Sequence, residues 1–394
     1  MSFSFDDLHE RRESRSLKWD LAHRDELPLW VADMDFAVAP AIQRRLAERV
    51  EHPIYGYPLL DDSFFDPFIS WFSRRHRWEI EREELLYVPG VMPAVHRAIE
   101  IHTDPGDEVV IQSPVYFPFF KAIQTHDRVV ATAPLREVER GNKLYFEMDF
   151  EALEDVFARG ASLFVLCSPH NPVGRVWRRE ELEEVARLAE RYDVVVLSDE
   201  IHADIIFPGY RFVPYMSLGE SVSRRSWATL APSKTFNIPG LLTAYAVVPH
   251  KIVRERVRDA FERIGAHMPN LFSMEATIAA YEEGEQWLDE LIPYLRENYE
   301  LLCSYLEEKL ETVRAVEQEG TYITWLDFRT ILSRSGLGPK QFAAAMRKEG
   351  RVWLSPGHVF GGEGNGFMRI NIATPRKRLQ EGLDRIERFT RGWR

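Results

Sequence analysis

The sequence predicts an α/β protein in which a large domain, built on a mostly parallel sheet covered by helices, is joined to a smaller α+β domain. Between Glu84 and Asp204, short strand-like runs alternate with helical stretches, the order expected when parallel strands are linked by crossover helices. Those runs are apolar throughout, as strands buried on both faces are. A chain of 394 residues, 45% hydrophobic and 12% aromatic, also has material for more than one core.

Taken in order, residues 27–36, L-P-L-W-V-A-D-M-D-F, mix apolar and acidic side chains without helical period and read as an ordered, extended arm. A helix is predicted from Pro40 to Arg49, broken by H-P-I-Y-G-Y-P, where Tyr55 and Tyr57 flank Gly56. Then come L-L-Y-V-P-G and a helix from Pro93, E-V-V-I-Q-S-P, R-V-V-A-T-A, a helix from Asp149, S-L-F-V-L-C-S-P, a helix from Arg178, and V-V-V-L-S-D. A-Y-A-V-V-P continues the sheet after Leu241, and a helix follows over 251–264. One long helical region from Met274 to about Thr312 is expected to link into the second domain. That domain holds T-Y-I-T-W-L-D-F, a helix from Pro339, R-V-W-L-S-P, F-M-R-I-N-I-A and a last helix from Arg376. The expected division is an arm with part of the small domain at 1–45, the large domain at 46–280 and the rest of the small domain at 281–394.

Composition narrows the function. A net charge of −12, with Lys and Arg dispersed among acids, disfavours nucleic acid as a partner. Two cysteines, Cys167 and Cys303, are too few for a disulfide framework, and neither the N-terminus nor any apolar run suits a signal peptide or a membrane span. A soluble, cytoplasmic protein is expected. The 12 histidines show no His-Glu-x-x-His spacing, so no metal site is expected, and no Gly-x-Ser-x-Gly elbow supports serine-hydrolase chemistry.

Three polar residues stand at the ends of predicted strands: Asn171 in S-P-H-N-P-V-G-R, Asp199 in V-V-V-L-S-D-E-I-H-A-D-I, and Lys234 in residues 227–241, W-A-T-L-A-P-S-K-T-F-N-I-P-G-L. In open α/β sheets, ligands sit at those carboxyl ends. An amine, a carboxylate and an amide suit pyridoxal phosphate: the amine condenses with the aldehyde, the carboxylate keeps the pyridine nitrogen protonated, and the amide bonds the phenolic oxygen. Gly90 opens a helix whose first N–H groups, at Val91 and Met92, can cradle a phosphate. Arg369, in an otherwise apolar strand, needs a carboxylate partner, either an internal acid or that of an amino-acid substrate.

In these motifs the chain resembles fold-type I pyridoxal-phosphate enzymes of the class I/II aminotransferase superfamily, within them the cystathionine β-lyase (C–S lyase) branch. L-P-L-W-V-A-D-M-D-F, Y-G-Y-P, S-P-V-Y-F-P-F-F, S-P-H-N-P-V-G-R, D-E-I-H-A-D-I, S-K-T-F-N-I-P-G-L and R-I-N occur in the family's order, nearly end to end. The resemblance implies a seven-stranded sheet and pyridoxal 5'-phosphate bonded to Lys234. Asp199 is then the partner of the ring nitrogen, Asn171 and His202 lie at the ring, and Tyr116 stacks on it. It also implies phosphate contacts from Val91, Met92 and Ser233, and from Tyr57 reaching across a homodimer, so that the active site is shared between subunits. Arg369 is expected to hold the substrate carboxylate, with Trp30, Val31 and Ala32 bordering the pocket.

Many aminotransferases have a tyrosine three residues after the aspartate, where this chain, like the branch, has His202. The branch often carries two adjacent tyrosines where this chain has Tyr116 and Phe117. The function implied is cleavage of L-cystathionine or a related S-substituted cysteine to thiol, pyruvate and ammonia. The alternatives are an aminotransferase on the same framework and a regulatory protein that keeps the cofactor.

Overall fold

The computed structural model describes residues 3–393, so the first two residues of the expected arm lie outside the described residues. Its strands are β1 (Leu27–Pro28), β2 (Leu85–Val88), β3 (Glu108–Ile111), β4 (Val129–Thr132), β5 (Arg136–Arg140), β6 (Lys143–Glu147), β7 (Leu163–Cys167) and β8 (Val195–Asp199). They continue with β9 (Ser226–Leu230), β10 (Ala244–Val247), β11 (Arg314–Ala315), β12 (Ile323–Asp327), β13 (Val352–Trp353), β14 (Ser355–Pro356) and β15 (Phe367–Asn371).

Seven of them form the main sheet in the order β2-β10-β9-β8-β7-β3-β4, in which β10 alone runs against its neighbours. The α/β class and the seven-stranded, mostly parallel sheet are as expected. The apolar runs have their cause in two covered faces. Leu163, Val165 and Cys167 of β7 pack with helices Val91–His102 and Lys251–Glu262, while Phe164 and Leu166 pack with Phe150–Ala158 and Arg179–Arg191. Every residue of β7 is therefore buried.

A second sheet, ordered β11-β12-β15-β14, is fully antiparallel. The arm is held beside it: β1 pairs in parallel with β13 in a separate two-stranded sheet, and the Asn371 amide of β15 donates to the carbonyls of Val31 at 2.7 Å and Asp33 at 2.6 Å. Residues 30–33 are thereby carried over the carboxyl edge of the main sheet.

The long helical region is two helices, Leu271–Glu283 and Glu285–Lys309, parted at Gly284. A Cβ there would stand 2.4 Å from the Ala280 carbonyl oxygen and 2.5 Å from the Phe236 ring, so the turn needs a residue without a side chain. Helix Asp62–His76 and the β5–β6 hairpin have no counterpart in the sequence reading.

One buried ion cluster ties the two sheets together. Arg175, after β7, bonds Glu181 at 2.8 Å and Glu319, before β12, at 2.9 Å, all three buried. Arg175→Met would strand both carboxylates and is expected to cost about 3–5 kcal/mol, read as a lower urea midpoint.

Candidate active site

The carboxyl edge of the main sheet opens into a cavity of about 600 Å³. Chain geometry explains its walls. β2 leads into Val91 and Met92, β3 into Tyr116, and β7 into Asn171; β8 ends at Asp199, and β9 leads into helix Pro232–Thr235, which carries Ser233 and Lys234. His202 follows β8, β15 contributes Arg369, and the arm contributes Trp30, Val31 and Ala32. Twelve of the thirteen residues singled out in the sequence thus line one cavity. Tyr57 does not line it: the residue is 92% exposed, in an irregular segment with the exposed Ile54, Tyr55 and Leu59.

Phe117, beside Tyr116, also lines the cavity, as do Leu17, Ile201, Leu242, Thr243 and Ser355, which no sequence pattern marks. Ser355 has a definite task. Its hydroxyl donates to the Trp30 carbonyl at 2.8 Å and stands 3.3 Å from an Arg369 nitrogen.

Arg369 is buried, and no carboxylate among the described residues pairs with it, which removes the internal-acid reading. Its guanidinium instead donates to Asn171 Oδ1 at 2.9 Å and to the Trp30 carbonyl at 3.1 Å, while its Nε has no partner. Burial lowers its pKa to about 10. Because the Asn171 oxygen is engaged by Arg369, its amide NH2 is the donor left for the cavity.

Lys234 Nζ donates to the Ala32 carbonyl at 2.7 Å, which also accepts from the Tyr322 hydroxyl at 2.9 Å. Burial, then the Arg369 charge, lowers the amine from 10.5 to about 8. Burial raises the Asp199 carboxyl from 3.8 to about 7, against one backbone bond from Ile201 at 3.2 Å and the attraction of Lys234. His202 is lowered to about 3 by burial, then by the charges of Lys234 and Arg369; its ring is neutral and its Nδ1 is unpartnered.

The Asp199 shift makes a prediction for the cofactor-free protein. Its folded-state pKa is raised, so its favourable contribution is complete below about 4 and is lost as pH rises through about 7. At pH 8, Asp199→Asn is expected to make the cofactor-free protein more stable by about 1–3 kcal/mol, and to weaken cofactor binding. Denaturation midpoints with and without cofactor check both halves.

The residues present fit a flat, phosphorylated pyridine aldehyde. Asp199 is a buried acid lacking a firm cationic partner, Asn171 offers a free amide donor, and an amine of lowered pKa stands on the same cavity. The first N–H groups of helix Val91–His102 have no intrahelical acceptor. Fold and site together define the class of fold-type I pyridoxal-phosphate enzymes.

Comparison with known proteins gives the family. The aminotransferase class I and II model matches residues 29–386, and the chain belongs to that family. It is similar to cystathionine beta-lyase PatB of Bacillus subtilis, 38% identical over 98% of this chain and 99% of that protein. It is likewise similar to the MalY protein of Escherichia coli, 34% identical over 97% of each chain. Among solved structures, cystalysin from Treponema denticola, which contains a pyridoxal 5'-phosphate cofactor, superposes with a TM-score of 0.94 at 32% identity, covering all of both chains.

Proposed function

We propose that the protein is a pyridoxal-phosphate-dependent carbon–sulfur β-lyase acting on L-cystathionine or related S-substituted cysteines, releasing thiol, pyruvate and ammonia. The observation that carries this reading is Arg369: a buried guanidinium without an acid partner, facing a cavity in which Lys234 is the one other Lys or Arg among the lining residues. One fixed cation suits an amino acid with a single carboxylate near the reacting carbon. The remaining wall, with Leu17, Trp30, Phe117 and Leu242, is mostly apolar and can receive a sulfur substituent. Similarity to PatB supports the lyase over a transaminase.

Bound there, pyridoxal phosphate supplies an aldehyde that condenses with the substrate amine and a ring that takes up the electron pair left at Cα. The chain's own groups do the rest. Arg369 holds the substrate carboxylate, leaving the α-hydrogen within range of Lys234. With a pKa of about 8, Lys234 has an appreciable neutral fraction near neutral pH and acts as general base. Asp199 would hold the ring nitrogen's proton; Asn171, with His202 beside it, would bond the phenolic oxygen, and Tyr116 would cover a ring face. Val91, Met92 and Ser233 would bind the phosphate. As the Cβ–S bond breaks, both its electrons leave with sulfur as the thiolate, the pair left at Cα forms the Cα=Cβ bond, and the released 2-aminoacrylate takes up water to give pyruvate and ammonia.

The reading includes a homodimer, in the cytoplasm, in which Tyr57 completes the partner's phosphate site. The exposed Ile54, Tyr55, Tyr57 and Leu59 support such an interface, and the two cysteines are free. The experiment is a pyruvate and thiol assay on cystathionine without any keto acid. Both products should form in equal amounts; strict keto-acid dependence would favour the aminotransferase.

A further inference from the structure

We propose that Asp204 and Thr235 are positioning residues of the reaction, a buried carboxylate–hydroxyl link that fixes the backbone under Lys234. The proposal rests on the reading of Lys234 as the cofactor-bearing base.

Lys234 stands in a helix of four residues, Pro232–Thr235, far too short to be stable by itself. Its placement must come from tertiary bonds. On one side, Asn237 accepts the Met34 N–H at 2.9 Å and donates to the Phe36 carbonyl at 2.9 Å, tying the segment to the arm. On the other, the Thr235 hydroxyl donates to Asp204 Oδ2 at 2.8 Å, while Asp204 Oδ1 accepts from Trp71 Nε1 at 2.9 Å and is bonded to His76 Nε2 at 2.7 Å.

Thr235 and Asp204 are buried and neither lines the cavity. Burial would raise the Asp204 carboxyl, but its bonds to His76, Trp71 and Thr235 prevail and hold it below the usual carboxylate range. The same carboxylate therefore joins three pieces: the turn that follows Asp199 at the end of β8 and carries His202, the helix that carries Lys234, and helix Asp62–His76 outside the site. A side chain that must both bind an aldehyde and take a proton tolerates little error, since a displacement of about 1 Å costs about 100-fold.

The test is Thr235→Val in the holoenzyme, with Thr235→Ser as the conservative variant and Asp204→Asn as a second break in the link. Thr235→Val should lower kcat about 10- to 100-fold while KM stays within about twofold, and Thr235→Ser should recover most of the loss. The pH midpoint of the visible band of the lysine-bound cofactor should move in Thr235→Val and Asp204→Asn and return in Thr235→Ser. That midpoint needs no substrate, so it reports on the link even if the lyase reading fails; a wild type without the band would instead sink the cofactor reading. Folded Thr235→Val with wild-type kcat and an unmoved midpoint would overturn the proposal. So would an equal loss in Thr235→Ser.

Discussion

Lys234→Ala is expected to abolish the visible absorbance of the bound cofactor and to lower kcat by at least about 100-fold and up to about 10⁴-fold from the loss of the general base alone. Two features of the amine set that expectation. It is half-buried at the carboxyl edge of the sheet with a pKa near 8, so it can give up its proton without strongly alkaline conditions. Its bond to the Ala32 carbonyl at 2.7 Å also occupies one N–H direction, which leaves the lone pair of the neutral amine pointing elsewhere. Lys234→Arg keeps a cation but, at an arginine's high pKa, offers no base, so it should be as inactive as the alanine variant. Turnover retained in either variant would assign the base to another residue.

Arg369→Leu is expected to raise KM sharply and to lower kcat/KM by roughly 30- to 4000-fold, the equivalent of about 2–5 kcal/mol for removing one partner of a buried, hydrogen-bonded charge pair. Arg369→Lys should recover only a small part, because a point charge cannot make the two parallel bonds that a guanidinium gives a carboxylate. Both follow from the absence of any internal acid on Arg369 among the described residues. Steady-state kinetics on cystathionine decide it: an unchanged KM in the leucine variant would place the substrate carboxylate elsewhere.

The main sheet was legible because strands buried on both faces write long apolar runs, and its chemistry because Asn171, Asp199 and Lys234 each follow or end such a run. Once the strands align in parallel, residues scattered over 64 positions necessarily meet at one edge. What was not legible depends on contacts distant in sequence. Arg369 reads equally well as an internal ion pair, and only the folded chain shows Asn171, Trp30 and Ser355 around it with no acid. Nothing in the arm announces that the Ala32 carbonyl will receive Lys234, a backbone contact across 202 positions. Gly284 parts the helical region where the Phe236 ring leaves no room for a side chain, a contact distant in sequence. Helix Asp62–His76 is hidden by Pro67 within its span and by an aromatic run suited equally to a strand, yet it supplies Trp71 and His76 to Asp204.

The ε-amine of Lys234, at the mouth of β9, is the group expected to bond the cofactor aldehyde. Borohydride reduction of the holoprotein followed by peptide mass mapping tests it directly. The added mass of a phosphopyridoxyl group is predicted on the peptide containing Lys234. That mass on a different lysine, or on none, would contradict it.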